Sequence, residues 1–176
     1  MGESFGVYTL GADPFLMPLV TSVNIACGFH AGDPQVMKRT VRLAIQHHVA
    51  IGAHPGYPDL VGFGRRALDA TPSEIENDVL YQIGASSAFV RAAGGALTHV
   101  KAHGELYRLA ALELKIAQAI ARAIVHFDSN LTIIGLPDRR WWTQRDKLDY
   151  AVHVKDMWIA PTCSMGRSSR AASPVR

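Results

Sequence analysis

The chain has 176 residues, 48% apolar and 19% charged, the make-up of one soluble globular domain with a substantial core. Its formal net charge of +3 is uneven. Residues 1–137 carry 10 Lys and Arg against 11 Asp and Glu, and residues 138–176 carry 8 against 4. The body is neutral, which removes most of the case for nucleic-acid binding. No run approaches the ~18 apolar residues of a membrane span, and no basic-then-apolar signal opens the chain. Cys27 and Cys163 lie far apart, outside CxxC or zinc-type spacing, so neither a disulfide framework nor a cysteine zinc site is expected. The expectation is a cytoplasmic protein with reduced thiols.

In chain order, residues 1–8 open without an apolar lead-in. Asp13-Pro14 begins a short helical turn within D-P-F-L-M-P-L-V. Ser22–Cys27 reads as a strand, followed by the loop G-F-H-A-G-D-P. Asp33 is the expected N-cap of a helix with Pro34 at its first position and an apolar face from Val36 to Ile45. Val49–Ala53 is a second strand. The loop after it, His54 to Arg66, is set by its Pro and Gly residues and carries His54, Tyr57, Asp59, Arg65 and Arg66. Thr71 and Glu74 form a capping box for a long helix that Gly94-Gly95 stops. Leu97–Lys101 is a third strand with A-H-G-E-L-Y as its loop. A helix over about residues 109–125 and a strand over Leu131–Gly135 follow.

Strands alternating with helices predict parallel pairing with right-handed crossovers. The strands are apolar throughout, the pattern expected when both faces are covered. In a barrel or an open sheet, loops that follow strands gather at one end. That end would collect His30, Asp33, His54, Asp59, His99, Lys101, His103 and Glu105. Such clusters suit Zn, Mn or Fe, or general acid–base work. A histidine alone is more often a satisfied core residue than a ligand, and His47, His48, His126 and His153 are read as helix-end or surface residues. Lys101, amid histidines, calls for a carboxylate or a substrate anion. Its bland alternative is a rim lysine packed along its stem. Gly62–Arg66, G-F-G-R-R, offers two guanidiniums suited to phosphate or carboxylate, but the chain holds no P-loop. Cys27 reads as a core thiol.

The segments V-T-S-V-N-I-A-C-G-F-H-A-G-D-P (20–34), I-G-A-H-P-G-Y-P-D-L-V-G-F-G-R-R (51–66), Y-Q-I-G-A (81–85) and H-V-K-A-H-G-E-L-Y (99–107) resemble the LamB/YcsF family. The likeness covers about residues 2 to 137. It implies a seven-stranded β/α barrel related to the glycoside hydrolase and deacetylase barrels. It also implies cleavage of 5-oxo-L-proline to L-glutamate coupled to ATP hydrolysis, performed with B and C subunits. A lactam-opening site needs a base, carriers for protons and a cation for the substrate carboxylate. Asp33 or Asp59 is then the candidate base, and His54 and His103 the proton carriers. Lys101, Arg65 and Arg66 are the candidate anion holders, with His30, His54 and His103 the candidate metal ligands. ATP would be used through the complex.

Some residues depart from the family pattern. The acidic strand that precedes Gly2-Glu3 in the family is absent, and Ala102, Glu105 and Arg108 replace a proline, an alanine and an asparagine. Residues 138–176 read as a basic, non-family tail. Its Ser/Arg/Ala/Pro mixture is expected of a frame shifted near codon 137, with a tail for an acidic partner as the alternative. Two other functions compete: a stand-alone metal-dependent deacetylase or amidohydrolase of the same barrel class, and an inactive fragment or binding scaffold.

Overall fold

A computed structural model describes residues 1–135 and, beyond them, the backbone of one strand at His153–Asp156. The tail expectation for residues 138–176 otherwise lies outside the described residues. A short helix α1 (Asp13–Leu16) and a 3-10 turn (Met17–Leu19) precede β1 (Ser22–Ala26). Then come α2 (Pro34–Gln46), β2 (Ala50–His54), α3 (Pro72–Ala92) and β3 (Leu97–Val100). Helices α4 (Gly104–Ala110) and α5 (Leu114–Phe127) lead to β4 (Thr132–Gly135), and β5 is His153–Asp156.

Local chemistry explains the boundaries. The Asp33 carboxylate accepts the N–H groups of Gln35 (2.7 Å) and Val36 (3.1 Å), capping α2. Thr71 and Glu74 form the reciprocal capping box of α3, as their spacing predicts. The single helix expected over about 109–125 is instead two. Helix α4 starts directly at Gly104, inside the segment expected to be a loop, and the chain becomes extended at Glu113 before α5. The extended residue interrupts what the apolar periodicity alone reads as one helix.

Among the described residues five strands pair in parallel, in the order β1-β2-β3-β4-β5. Consecutive order decides between the two architectures left open by the sequence. A doubly wound sheet reverses direction at a switch point, whereas a barrel wall adds each strand outside the last. Right-handed crossovers without a reversal put every helix on the same side. Val23, Ile25, Ile51, Ala53, Val100 and Ile133 are buried there with residues of α2, α3 and α5.

The opposite face differs from the apolar pattern expected of strands covered on both sides. Asn24, Gly52, His99 and Thr132 align across it, and Ala26 and His54 follow at the next level of β1 and β2. A bulge makes this row possible. Ile51 pairs with Leu97 but Gly52 pairs with His99, so Thr98 is an extra residue that re-aims His99. The Thr98 hydroxyl donates to the Ile51 carbonyl at 3.1 Å. The His99 ring lies across Gly52, where a Cβ would stand 2.1 Å from Nε2, and reaches Asn24 Oδ1 at 3.0 Å. Among the described residues no helix is long and apolar enough to cross a membrane.

Candidate active site

The strand ends bring three histidines together. His54 is the last residue of β2, and His30 lies in the loop after β1. His103 precedes α4, and its position continues the sheet. Lys101 N–H donates to the Ala53 carbonyl (3.0 Å) and His103 N–H to the Pro55 carbonyl (2.8 Å), so the ladder runs on past β3. The His30 and His103 rings stack with centroids 3.8 Å apart, and His54 meets both edge-on. Phe63 closes the group, edge-on to His30 and His103.

Glycines permit this approach. A Cβ on Gly56 would stand 2.8 Å from His30 Nδ1. Gly64, at φ +63, would place one 2.9 Å from both His103 Cδ2 and His30 Cβ. The loop that carries them is anchored from α3. Gln82, fully buried, accepts the Gly56 N–H and donates to the Gly56 carbonyl, both at 2.9 Å.

The hydrogen bonds fix the ring tautomers. His54 Nδ1 lies 2.6 Å from the Lys101 carbonyl, and His103 Nε2 lies 2.7 Å from the Phe63 carbonyl. Carbonyl oxygens only accept, so both of those nitrogens carry hydrogen. His54 Nε2 and His103 Nδ1, 3.2 Å apart, face each other. His30 is fully buried and neither of its ring nitrogens has a hydrogen-bond partner. One donor atom each from Glu3, His30 and His103 lies within 4.8 Å of the others. Burial, then the charge of neighbouring groups, pushes His30 down to about 3, and burial lowers His54 and His103 as well.

The carboxylates at this end are differently occupied. Asp33 caps α2 and also accepts the Gly6 N–H at 2.8 Å, which together hold it below the usual carboxylate range. Asp59 is buried and clamped by Arg66, whose Nε lies 3.0 and 3.1 Å from its two oxygens and whose Nη2 completes a forked pair. It also accepts the Gly62 N–H at 2.8 Å. The Arg66 side chain, the first cause, holds Asp59 down at about 2. Arg66 is thus engaged within its own loop, while Arg65 lies over the Phe63 ring at 5.7 Å. The Lys101 ammonium sits 5.4 Å from the Tyr107 ring, its pKa lowered by burial. Glu105 pairs with Arg108 on α4. Cys27 is a buried core thiol, pushed up by burial to about 12.

Three participants carry no strong signal in the motifs: Glu3, Gln82 and the Phe63 carbonyl. Gln82 has the clearest one, a polar residue in line with Ile75, Val79 and Ile83 on the buried face of α3. Phe63 has a left-handed φ of 56, which no side-chain pattern announces. Between Glu3, Phe5, Tyr8, Leu10, His30, Ala31, Leu60, Val61 and Phe63 lies a mostly apolar cavity of about 380 Å³, which meets the histidine cluster at His30 alone.

This fold and these motifs have known relatives. The chain is 64% identical over 137 residues to the 5-oxoprolinase A subunit of Symbiobacterium thermophilum, covering 78% of this chain and 52% of that protein. It is 56% identical over 144 residues to the 5-oxoprolinase A subunit of Bacillus cereus, covering 82% and 57%. The chain therefore spans a little over half the length of these curated relatives. The crystal structure of a lactam utilization protein from Thermus thermophilus superposes with a TM-score of 0.85 at 48% identity, over 89% of this chain and 62% of that one. The model of the LamB/YcsF family matches residues 1–157, twenty residues past the point where the family-like motifs give out and through β5. With that match, an α/β arc of parallel strands in barrel order and a superposable relative, the chain belongs to the LamB/YcsF family.

Proposed function

We propose that this chain contributes the lactam-opening site of an ATP-dependent 5-oxoprolinase, working with B and C subunits. The observation that carries the reading is the convergence of His30, His54 and His103 from three successive strand ends, beside a small apolar cavity. The relatives' name, that of the 5-oxoprolinase A component, supplies the substrate class.

The chemistry makes sense of the partners. A five-membered lactam is a resonance-stabilised amide and a poor electrophile. Transfer of the ATP γ-phosphoryl group to the amide oxygen makes the ring carbon open to water. Attack and C–N cleavage then release glutamate, ADP and phosphate. Within the site, His54 and His103 move the protons of water and leaving nitrogen. Lys101 and Arg65 hold the substrate carboxylate or the phosphoryl group. Asp59 with Arg66, and Asp33 at the start of α2, hold the loops that aim these groups. The chain has no P-loop, so ATP is handled by the assembled complex.

The test is ATP-dependent release of glutamate from 5-oxoproline by this chain co-produced with B and C subunits. Activity is expected in the assembly, not in the chain alone, and to be lost in His54→Ala. Turnover of the lone chain without ATP would favour the second reading, a metal-dependent amidohydrolase. The unpartnered nitrogens of His30 are the observation that keeps that reading in view.

A further inference from the structure

The motif Y-Q-I-G-A, residues 81–85, forms a turn of α3 behind the histidine loops. It sets a fully buried amide, Gln82, in line with Ile75, Val79 and Ile83. Packing alone would favour an apolar side chain there, because a buried amide is costly unless its polar atoms are paired. All of them are paired. Oε1 accepts the Gly56 N–H at 2.9 Å, and Nε2 donates to the carbonyls of Gly56 (2.9 Å) and Asp78 (3.0 Å).

Two bonds to a single residue fix its rotation as well as its distance from the helix. Gly56 has no room to spare: a Cβ on it would stand 2.8 Å from His30 Nδ1 and 3.3 Å from His103 Cβ. The carbonyl of Pro55, beside it, accepts the His103 N–H at 2.8 Å. The same turn of α3 reaches the other loop, where Tyr81 stacks on Phe29, next to His30, with centroids 5.4 Å apart. A shift of Gly56 is therefore passed to the His30–His103 stack. From there it reaches the 3.2 Å approach of His103 Nδ1 to His54 Nε2. Proton transfer is sensitive to such spacing.

We propose that Gln82 is a positioning residue of the reaction. By clamping Gly56 from α3, it sets the rings of His30 and His103 at the height and angle in which His54 and His103 carry protons. Gln82 itself touches no substrate. Its effect on turnover rests on the lactam-opening reading, and its effect on ring geometry does not.

The test compares two variants in the assembly with B and C subunits. Gln82→Met keeps the length and bulk of the side chain but leaves both Gly56 groups unpaired. It should lower kcat on the order of 10- to 100-fold with KM for 5-oxoproline unchanged. Gln82→Glu restores both bonds only as the neutral acid, whose O–H donates to the Gly56 carbonyl; the carboxylate repels that carbonyl. Burial raises such a carboxyl. The turnover of Gln82→Glu relative to the parent should therefore be highest at acid pH and fall as pH rises. The titratable groups around this peptide are His30, His54 and His103, lowered by burial, and Asp78, raised by it. Both proteins share them, so they cancel in the ratio.

Ring ¹⁵N NMR of the lone chain reads the geometry without turnover. Gln82→Met should move the His30 and His103 resonances, whereas Thr71→Ala, which loosens the same helix at its start, should move neither. A folded Gln82→Met with parental kcat, or one whose loss lies in KM, overturns the proposal. So does an unmoved ring spectrum, or a pH-independent ratio for Gln82→Glu. If Gln82→Met does not fold, Gln82→Glu decides. A parent assembly that does not cleave 5-oxoproline would overturn the lactam reading, and the ring spectra would then judge Gln82 by themselves.

Discussion

Asp33 and Asp59 lie in the same two loops as His30 and His54, within a few residues of them, and the two kinds of side chain are put to opposite uses. The carboxylates are saturated. Asp33 takes three backbone N–H groups, and Asp59 takes a guanidinium and the Gly62 N–H. The histidines retain nitrogens that the protein leaves unspent. A saturated acceptor holds a loop in place, and an unsaturated one inside a buried cluster is available for chemistry or for an ion. The difference teaches that proximity in sequence to a strand end nominates a residue for the site, while its hydrogen-bond balance assigns the role.

The largest expected effect falls on the histidines. His54→Ala and His103→Ala should each lower 5-oxoproline cleavage by the assembled enzyme on the order of 10²–10⁴-fold, the usual worth of a positioned proton carrier. Their melting temperatures should stay near the parent's, checked by circular dichroism.

Breaking the scaffold instead should be read in stability. Gly64→Ala must adopt φ +63 with a Cβ, costing roughly 1–2 kcal/mol before any displacement of His30 and His103. Gly52→Ala places its Cβ against His99 Nε2, and denaturant unfolding should show the loss. His99→Ala should recover part of it in the double variant, a coupling that two independent sites would not show.

Acid should act on the Asp59 clamp in a defined window. Its folded pKa, about 2, is depressed below the ordinary Asp value near ~3.9. Its contribution is therefore fully present above about pH 4 and lost as pH falls toward 2. Proteolysis or hydrogen exchange of residues 57–66 should accelerate across that range, and Asp59→Asn should lack this step. The smallest effect is expected of Thr71→Ala. It removes one N-cap and should cost about 1 kcal/mol by denaturant titration with turnover unchanged.

Much of the fold is legible in the residues. The Pro-Gly loops, the Asp33 cap and the Thr71/Glu74 box are local chemistry, and local chemistry is written in adjacent residues. The convergence of His30, His54 and His103 follows from parallel order alone. The polar inner row is not legible, because it depends on a one-residue bulge at Thr98 that turns His99 over Gly52. The Arg66–Asp59 clamp is hidden for a related reason. A guanidinium seven residues from a carboxylate pairs with it only once the Gly62 turn is made. Gln82 reaches Gly56 across 26 positions, a long-range contact that no local pattern encodes.

The comparison between saturated carboxylates and unspent histidines is tested most directly by one paired assay. ATP-dependent cleavage of 5-oxoproline is measured in the assembly carrying Asp33→Asn and, in parallel, His103→Gln. Asparagine caps a helix as well as aspartate does, so α2 is kept while the carboxylate is removed. The account predicts near-parental turnover for Asp33→Asn and a loss of at least about 100-fold for His103→Gln. Abolished turnover in Asp33→Asn with His103→Gln still active would contradict it.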